Sequence, residues 1–120
     1  MAARHMQRLN DQIRDELAQL LAHDTRDPRI SGVISITGVE TARDLSVAHV
    51  YVSVLGTEEE AREVVKHIRR AASFFRRELA ARMNLRHTPE LDFLVDRSIA
   101  EGAHIEQLLK EVNVKEETGA

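Results

Sequence analysis

The sequence predicts a single α+β domain in which helices cover a three-stranded mixed sheet, with the element order α-β-β-α-α-β-α. Apolar residues at helical spacing open and close the chain, and two segments rich in β-branched residues follow the first helix. At 120 residues the chain holds one modest core. We expect the domain to span residues 1–112 and residues 113–120 to form a flexible tail.

The first helix is predicted over residues 4–23, where apolar and charged residues alternate with helical periodicity. Pro28 ends this pattern, since the residue before a proline is disfavoured in the α region. Strands are predicted over residues 32–41 and 46–55, joined by a short turn into a hairpin. The second strand has one continuous apolar face, so helices are expected on one side of the sheet only.

A pair of helices is predicted over residues 58–72 and 74–84, beginning with a capping box of Thr57 and Glu60. Small residues that include a serine favour a bend, and a bend would also turn Phe74 towards the core. The alternative is one straight helix with an exposed phenylalanine. The predicted bend lies at three residues: Ala71, Ala72 and Ser73.

A third strand is predicted over residues 90–96 and a last helix over residues 100–112. We expect the third strand to lie parallel to the first, with the helix pair as a right-handed crossover, which makes the strand order 2-1-3.

The helix pair carries a block of positive charge on a chain whose net charge is −3. Such a block is typical of a phosphate-binding surface, although many charged helix faces are simply solvated. A seven-residue spacing places Arg69 with Arg76 on one face and Arg70 with Arg77 on another. The candidate RNA-binding residues are Lys66, Arg69, Arg70, Arg76, Arg77, Arg82 and Arg86.

Composition argues against catalysis and against membrane insertion. The chain has no cysteine, its six histidines are dispersed, and no metal-ligand cluster or phosphate-binding loop is recognisable. We therefore expect no cofactor, no metal and no enzymatic activity. No apolar segment approaches the length of a membrane span, so we expect a cytoplasmic protein. An aromatic content of 3% disfavours recognition by base stacking.

The element order resembles the type II KH fold, a nucleic-acid-binding α+β layer. KH domains normally bind the backbone with a Gly-x-x-Gly loop between two helices. This chain has no glycine between Thr57 and Glu101, so a kinked helix pair would replace that loop.

Short motifs distributed along the chain resemble the ribosome-binding factor A family over about residues 6–109. Each motif is weak alone, but together and in this order they are specific. They are Asp27-Pro28-Arg29, Val39-Glu40 followed by Arg43-Asp44-Leu45, Ala48-His49-Val50-Tyr51-Val52, Leu85-Arg86, and Pro89-Glu90-Leu91.

This resemblance implies a KH-like assembly factor that binds the immature small (30S) ribosomal subunit and its 16S rRNA. It implies help with late maturation and rRNA 5′-end processing, notably in the cold, and assembly GTPases are candidate further partners. In the family an Ala-x-Gly kink replaces the Gly-x-x-Gly loop, and Ser73 stands here in place of that glycine. Glycine adopts positive φ far more cheaply than serine, so the sharpness of the kink depends on this position.

Two expectations follow for the protein in solution. It should be a monomer, because no apolar stripe of interface size is left over. Its arginines should contact phosphates, and Arg76→Glu and Arg77→Glu should each change stability by only about 0.5 kcal/mol. If these arginines do not bind RNA, the RNA site would lie around Arg26, Arg29 and Arg43.

The alternative function is a protein-interaction module that uses the basic helices to bind an acidic partner. A hydrolase or nuclease would need metal ligands that the chain does not offer.

Overall fold

The computed structural model describes residues 2–24, 28–30 and 32–96. It confirms the predicted order of the first six elements, with bounds that differ by a few residues. The predicted last helix, residues 100–112, and the predicted tail, residues 113–120, lie outside the described residues. The elements are α1 (Ala2–Gln19), β1 (Ile34–Thr41), β2 (Val47–Val54), α2 (Glu58–Arg70), α3 (Ala72–Met83) and β3 (Glu90–Val95).

Helix α1 packs against the sheet through one apolar stripe, in which Ile13 and Leu17 are fully buried. The chain continues from α1 into a π-helical turn, Leu20–Asp24, where a regular helix was expected. A π turn holds more residues than an α turn, which changes the direction of the side chains that follow. Here both Leu20 and Leu21 pack on the core.

The turn between β1 and β2 is closed by backbone and side-chain hydrogen bonds. The Ala42 N–H donates to the Val47 carbonyl at 2.9 Å. Asp44 Oδ1 accepts from the Ser46 hydroxyl at 2.7 Å and from the Ser46 N–H at 3.1 Å. These hydrogen bonds stabilise the ionised carboxylate and hold the pKa of Asp44 below its ordinary value.

The predicted strand order, 2-1-3, is wrong. The order is β1-β2-β3, with β1 antiparallel and β3 parallel to β2. A crossover returns parallel to the strand from which it leaves, and the helix pair leaves from β2. The composition of the strands agrees with this order. The central strand has fully buried Ala48, Val50 and Val52, whereas β1 carries a bulge at Ile36/Gly38, as sheet edges often do.

The three helices α1, α2 and α3 of the described residues pack on the same face of the sheet and form one core with it. Phe75 of α3 is fully buried, and its ring meets the Phe93 ring of β3 edge-on at 5.7 Å. No helix in the described part of the chain combines the length and hydrophobicity needed to cross a membrane.

Candidate nucleic-acid interface

The start of α2 fixes the position of the basic residues relative to the core. The predicted capping box is present: the Glu60 N–H donates to Thr57 Oγ1 at 3.1 Å, and the Thr57 N–H donates to Glu60 Oε1 at 3.3 Å. From this start, Val65 and Ile68 fall on the buried stripe. The lysine and arginine side chains of α2 therefore lie on the remaining faces.

The two helices are separated by one residue, Ala71, with φ −94° and ψ 11°. Its N–H is shared between the carbonyls of His67 (3.2 Å) and Ile68 (3.0 Å). Ala72 and Ser73 lie within α3, so the interruption comes at the first of the three small residues predicted to form the bend. Phe74, after the interruption, is half-buried and packs on the core.

Ser73 does not need the conformation that only glycine adopts easily. Among the described non-glycine residues, positive φ occurs at Leu45 and Asn84 alone. Ser73 is exposed and helical, which serine tolerates. The interruption between α2 and α3 is therefore compatible with serine at a position where the resemblance implies glycine.

Arg69 and Arg76 bind backbone carbonyls of the chain around β3, and we call them the anchoring arginines. Arg69 Nε donates to the Phe93 carbonyl at 2.7 Å. Arg76 Nε and Nη2 donate to the Thr88 carbonyl at 3.2 and 2.8 Å. The seven-residue spacing does place these two side chains in one direction, and that direction is towards the strand. They hold α2 and α3 against β3, one on each side of Ala71.

Arg82 also makes an intramolecular contact. Its Nη1 lies 3.6 Å from Glu16 Oε2, which links α3 to α1. Both side chains keep about 30% of their surface exposed, so this ion pair contributes little to stability.

The remaining four predicted residues have no ion-pair or hydrogen-bond partner among the described residues, and all four are exposed. We call them the outward cations: Lys66, Arg70, Arg77 and Arg86. Each anchoring arginine is directly followed in the sequence by one of these cations: Arg70 follows Arg69, and Arg77 follows Arg76. Each pair thus has one arginine directed to the protein and one directed to solvent, and the solvent-directed cations are free to bind an anion.

An open groove of about 410 Å³ lies between α2 and the end of β3. Its lining includes the predicted residues Lys66 and Arg69 and two that the sequence did not suggest, Arg62 and Val95. Arg62 Nη2 binds Glu58 Oε1 at 2.6 Å. Arg62 lies four residues before Lys66 and seven before Arg69, so helical spacing could have added Arg62 to the predicted set.

The chemistry available at this surface is electrostatic. The described residues include no group of three or more His, Cys, Asp and Glu side chains that could hold a metal ion. Of the alternative RNA site predicted from the sequence, Arg29 and Arg43 are exposed, whereas Arg26 lies outside the described residues.

The fold and the basic surface together define the class of protein: a small α+β domain that presents a cationic, interrupted helix pair beside a mixed sheet. The family model for ribosome-binding factor A matches residues 5–109. The chain belongs to the ribosome-binding factor A family.

Relatives and solved structures agree with this assignment. Ribosome-binding factor A of Desulfitobacterium hafniense is 45% identical over 117 residues, covering 98% of this chain and 93% of that protein. The protein of Caldanaerobacter subterraneus is 41% identical, covering 91% and 89%. The crystal structure of ribosome-binding factor A from Thermus thermophilus superposes with a TM-score of 0.68 at 29% identity, covering 78% of this chain and 97% of that chain. A homology model of Thermus thermophilus ribosome-binding factor A, fitted into a cryo-EM map of a 30S complex, has a TM-score of 0.60 at 31% identity, covering 73% and 91%.

Proposed function

We propose that this protein is a ribosome assembly factor that binds the immature small (30S) subunit through its 16S rRNA and assists late maturation and 5′-end processing. Family membership supports binding to the ribosome, and the Thermus thermophilus protein has been fitted into a 30S complex. The observation that carries the RNA-binding part is the exposure of the outward cations: Lys66 and Arg70 before the interruption, Arg77 after it, and Arg86 beyond the end of α3. The anchoring arginines hold the two helices in place on either side of the interruption.

The outward cations suit phosphate recognition. An arginine can donate to two phosphate oxygens at once through its planar guanidinium group. Arg70 and Arg77 lie on different helices, on either side of Ala71, so they can reach different phosphates of one folded RNA. This mode reads RNA shape and needs no aromatic side chain to stack on a base.

In this proposal the protein acts as a cytoplasmic monomer without enzymatic activity, and assembly GTPases are candidate partners on the subunit. The function is tested by depleting the protein at low temperature and mapping the 5′ end of 16S rRNA. We expect unprocessed precursor to accumulate and the purified protein to sediment with precursor-containing subunits in preference to assembled ribosomes. Normal 5′ ends after depletion, or equal sedimentation with both particles, would contradict the proposal.

A further inference from the structure

One face of the sheet carries no described helix. Because the described helices share one core with Ala48, Val50 and Val52, the alternate residues of β2 face away from them. His49 and Tyr51 lie on this other side and are each half-buried, as are their neighbours on β3, Asp92 and Leu94. We call this side of β1, β2 and β3 the outer face.

The outer face has an acidic rim around an apolar centre. Its carboxylates come from both edge strands, with Glu40 on β1, Glu90 and Asp92 on β3, and Asp96 just after β3. The sequences of the three strands contain no lysine and no arginine. The centre is formed by Tyr51 and its cross-strand neighbour Leu94.

Two of the four carboxylates are held by neighbours on the same face, and the other two are exposed. Asp92 Oδ2 lies 2.9 Å from His49 Nδ1, and Asp96 Oδ2 accepts from the Thr37 hydroxyl at 2.5 Å. Glu40 and Glu90 are exposed, on opposite edges of the sheet. Strands are about 4.8 Å apart, so these two acids lie about two strand spacings apart across the sheet. Glu90 is level with Val47 of β2 and Glu40 with His49, and Tyr51 with Leu94 forms the next row of the outer face beyond Glu40.

We propose that the outer face binds an extended, lysine- and arginine-rich protein segment. In such a segment alternate side chains point to the same side, about 7 Å apart. Cationic side chains would then meet Glu40 and Glu90 while apolar side chains further along the segment pack on Tyr51 and Leu94. Electrostatic complementarity of this kind gives specificity and speeds association.

Charge also favours a basic protein segment over the other possible occupants of the outer face. A second copy would bring two sets of carboxylates together, and RNA would bring phosphates to the same acids. Residues 97–120 carry five acidic and three basic residues, so this chain's own last segment has the same sign of charge as the outer face. This proposal rests on the proposed function in one respect. If the outward cations bind RNA, the outer face, on the opposite side of the domain, remains available to bind a protein.

The first test uses a defined probe, the peptide acetyl-Lys-Val-Lys-Thr-Lys-Val-Lys-amide, titrated into the isotope-labelled protein and followed by NMR. We expect chemical-shift changes at β2 and β3 around His49, Tyr51 and Leu94. Replacing Glu40 and Glu90 together by glutamine should weaken binding about fivefold, as expected from the loss of two exposed ion pairs. The matched control, Asp15→Asn with Glu59→Gln, removes the same charge from exposed helix positions and should leave the affinity unchanged.

Shift changes confined to other surfaces, or equal weakening in the control variant, would overturn the proposal. A second measurement separates it from the proposed function. The Glu40→Gln, Glu90→Gln variant should keep full affinity for protein-free 16S rRNA and lose affinity for complete small subunits. If the native protein bound neither particle, the proposed function would fail. If the native protein bound both and the variant bound subunits equally well, the outer-face proposal alone would fail.

Discussion

The anchoring role of Arg76 makes a sharp prediction about two neighbouring arginines. Arg76→Gln removes two hydrogen bonds to the Thr88 carbonyl, while Arg77→Gln removes none that the structure records. A hydrogen bond involving a charged group contributes about 1.5–3 kcal/mol. Both N–H groups share one acceptor and Arg76 is half-buried, so the lower end applies, about 1.5 kcal/mol. This corrects the expectation that replacing Arg76 changes stability as little as replacing Arg77.

Thermal and urea unfolding followed by far-UV circular dichroism measures this difference. The Arg76→Gln variant should lose about 6 °C or more in Tm, and Arg77→Gln should stay within about 0.5 kcal/mol of the native protein. Glutamine keeps part of the aliphatic stem, so the comparison isolates the guanidinium group. Arg76→Lys should restore only part of the loss, because an ammonium group lacks the planar fork of guanidinium. Equal unfolding midpoints for Arg76→Gln and Arg77→Gln would refute the anchoring role.

Three further predictions concern the elements that position the interface. Thr57→Ala removes the capping box of α2 and should cost about 1 kcal/mol in the free energy of unfolding, whereas Thr57→Ser should retain the cap; equal destabilisation by both would contradict the cap. Ser73→Gly should destabilise the protein by up to about 0.5 kcal/mol because Ser73 is helical, and a gain in stability would show that the interruption favours glycine. The Asp44 carboxylate has a lowered pKa, so its contribution is fully present above the pKa of the unfolded state and is lost as pH falls through the lower folded value. Asp44→Asn should flatten the acid limb of a stability-versus-pH curve, and an unchanged limb would contradict the Ser46 hydrogen bonds.

Local patterns in the sequence were sufficient for most elements of the fold. The apolar stripe of α1, the alternation in β2 and the capping box at Thr57 each depend on residues a few positions apart, and the structure confirms them. The strand order depends on whether β3 joins the free edge of β1 or the free edge of β2 after the hairpin forms. Strand order is a long-range property. The local sequence patterns fit equally well with β3 beside β1, as predicted, and with β3 beside β2, as observed.

The division of the arginines into anchoring and outward members was harder to predict. Helical spacing showed that Arg69 and Arg76 share a direction, but the partners of both are backbone carbonyls. Every residue has a carbonyl group, so no residue type marks these partners in the sequence. The π-helical turn at Leu20–Asp24 was also missed, because the consecutive leucines fit a regular helix equally well.

The most direct test of the account is the salt dependence of binding to protein-free 16S rRNA, measured for the native protein and for an Arg70→Gln, Arg77→Gln variant. Removing one phosphate contact should lower the slope of log affinity against log salt by about one, so the double variant should have a slope lower by about two. Its unfolding midpoint should match that of the native protein, since neither side chain has a partner among the described residues. A folded double variant with unchanged affinity and slope would contradict the account, and the outward cations would then be a solvated surface.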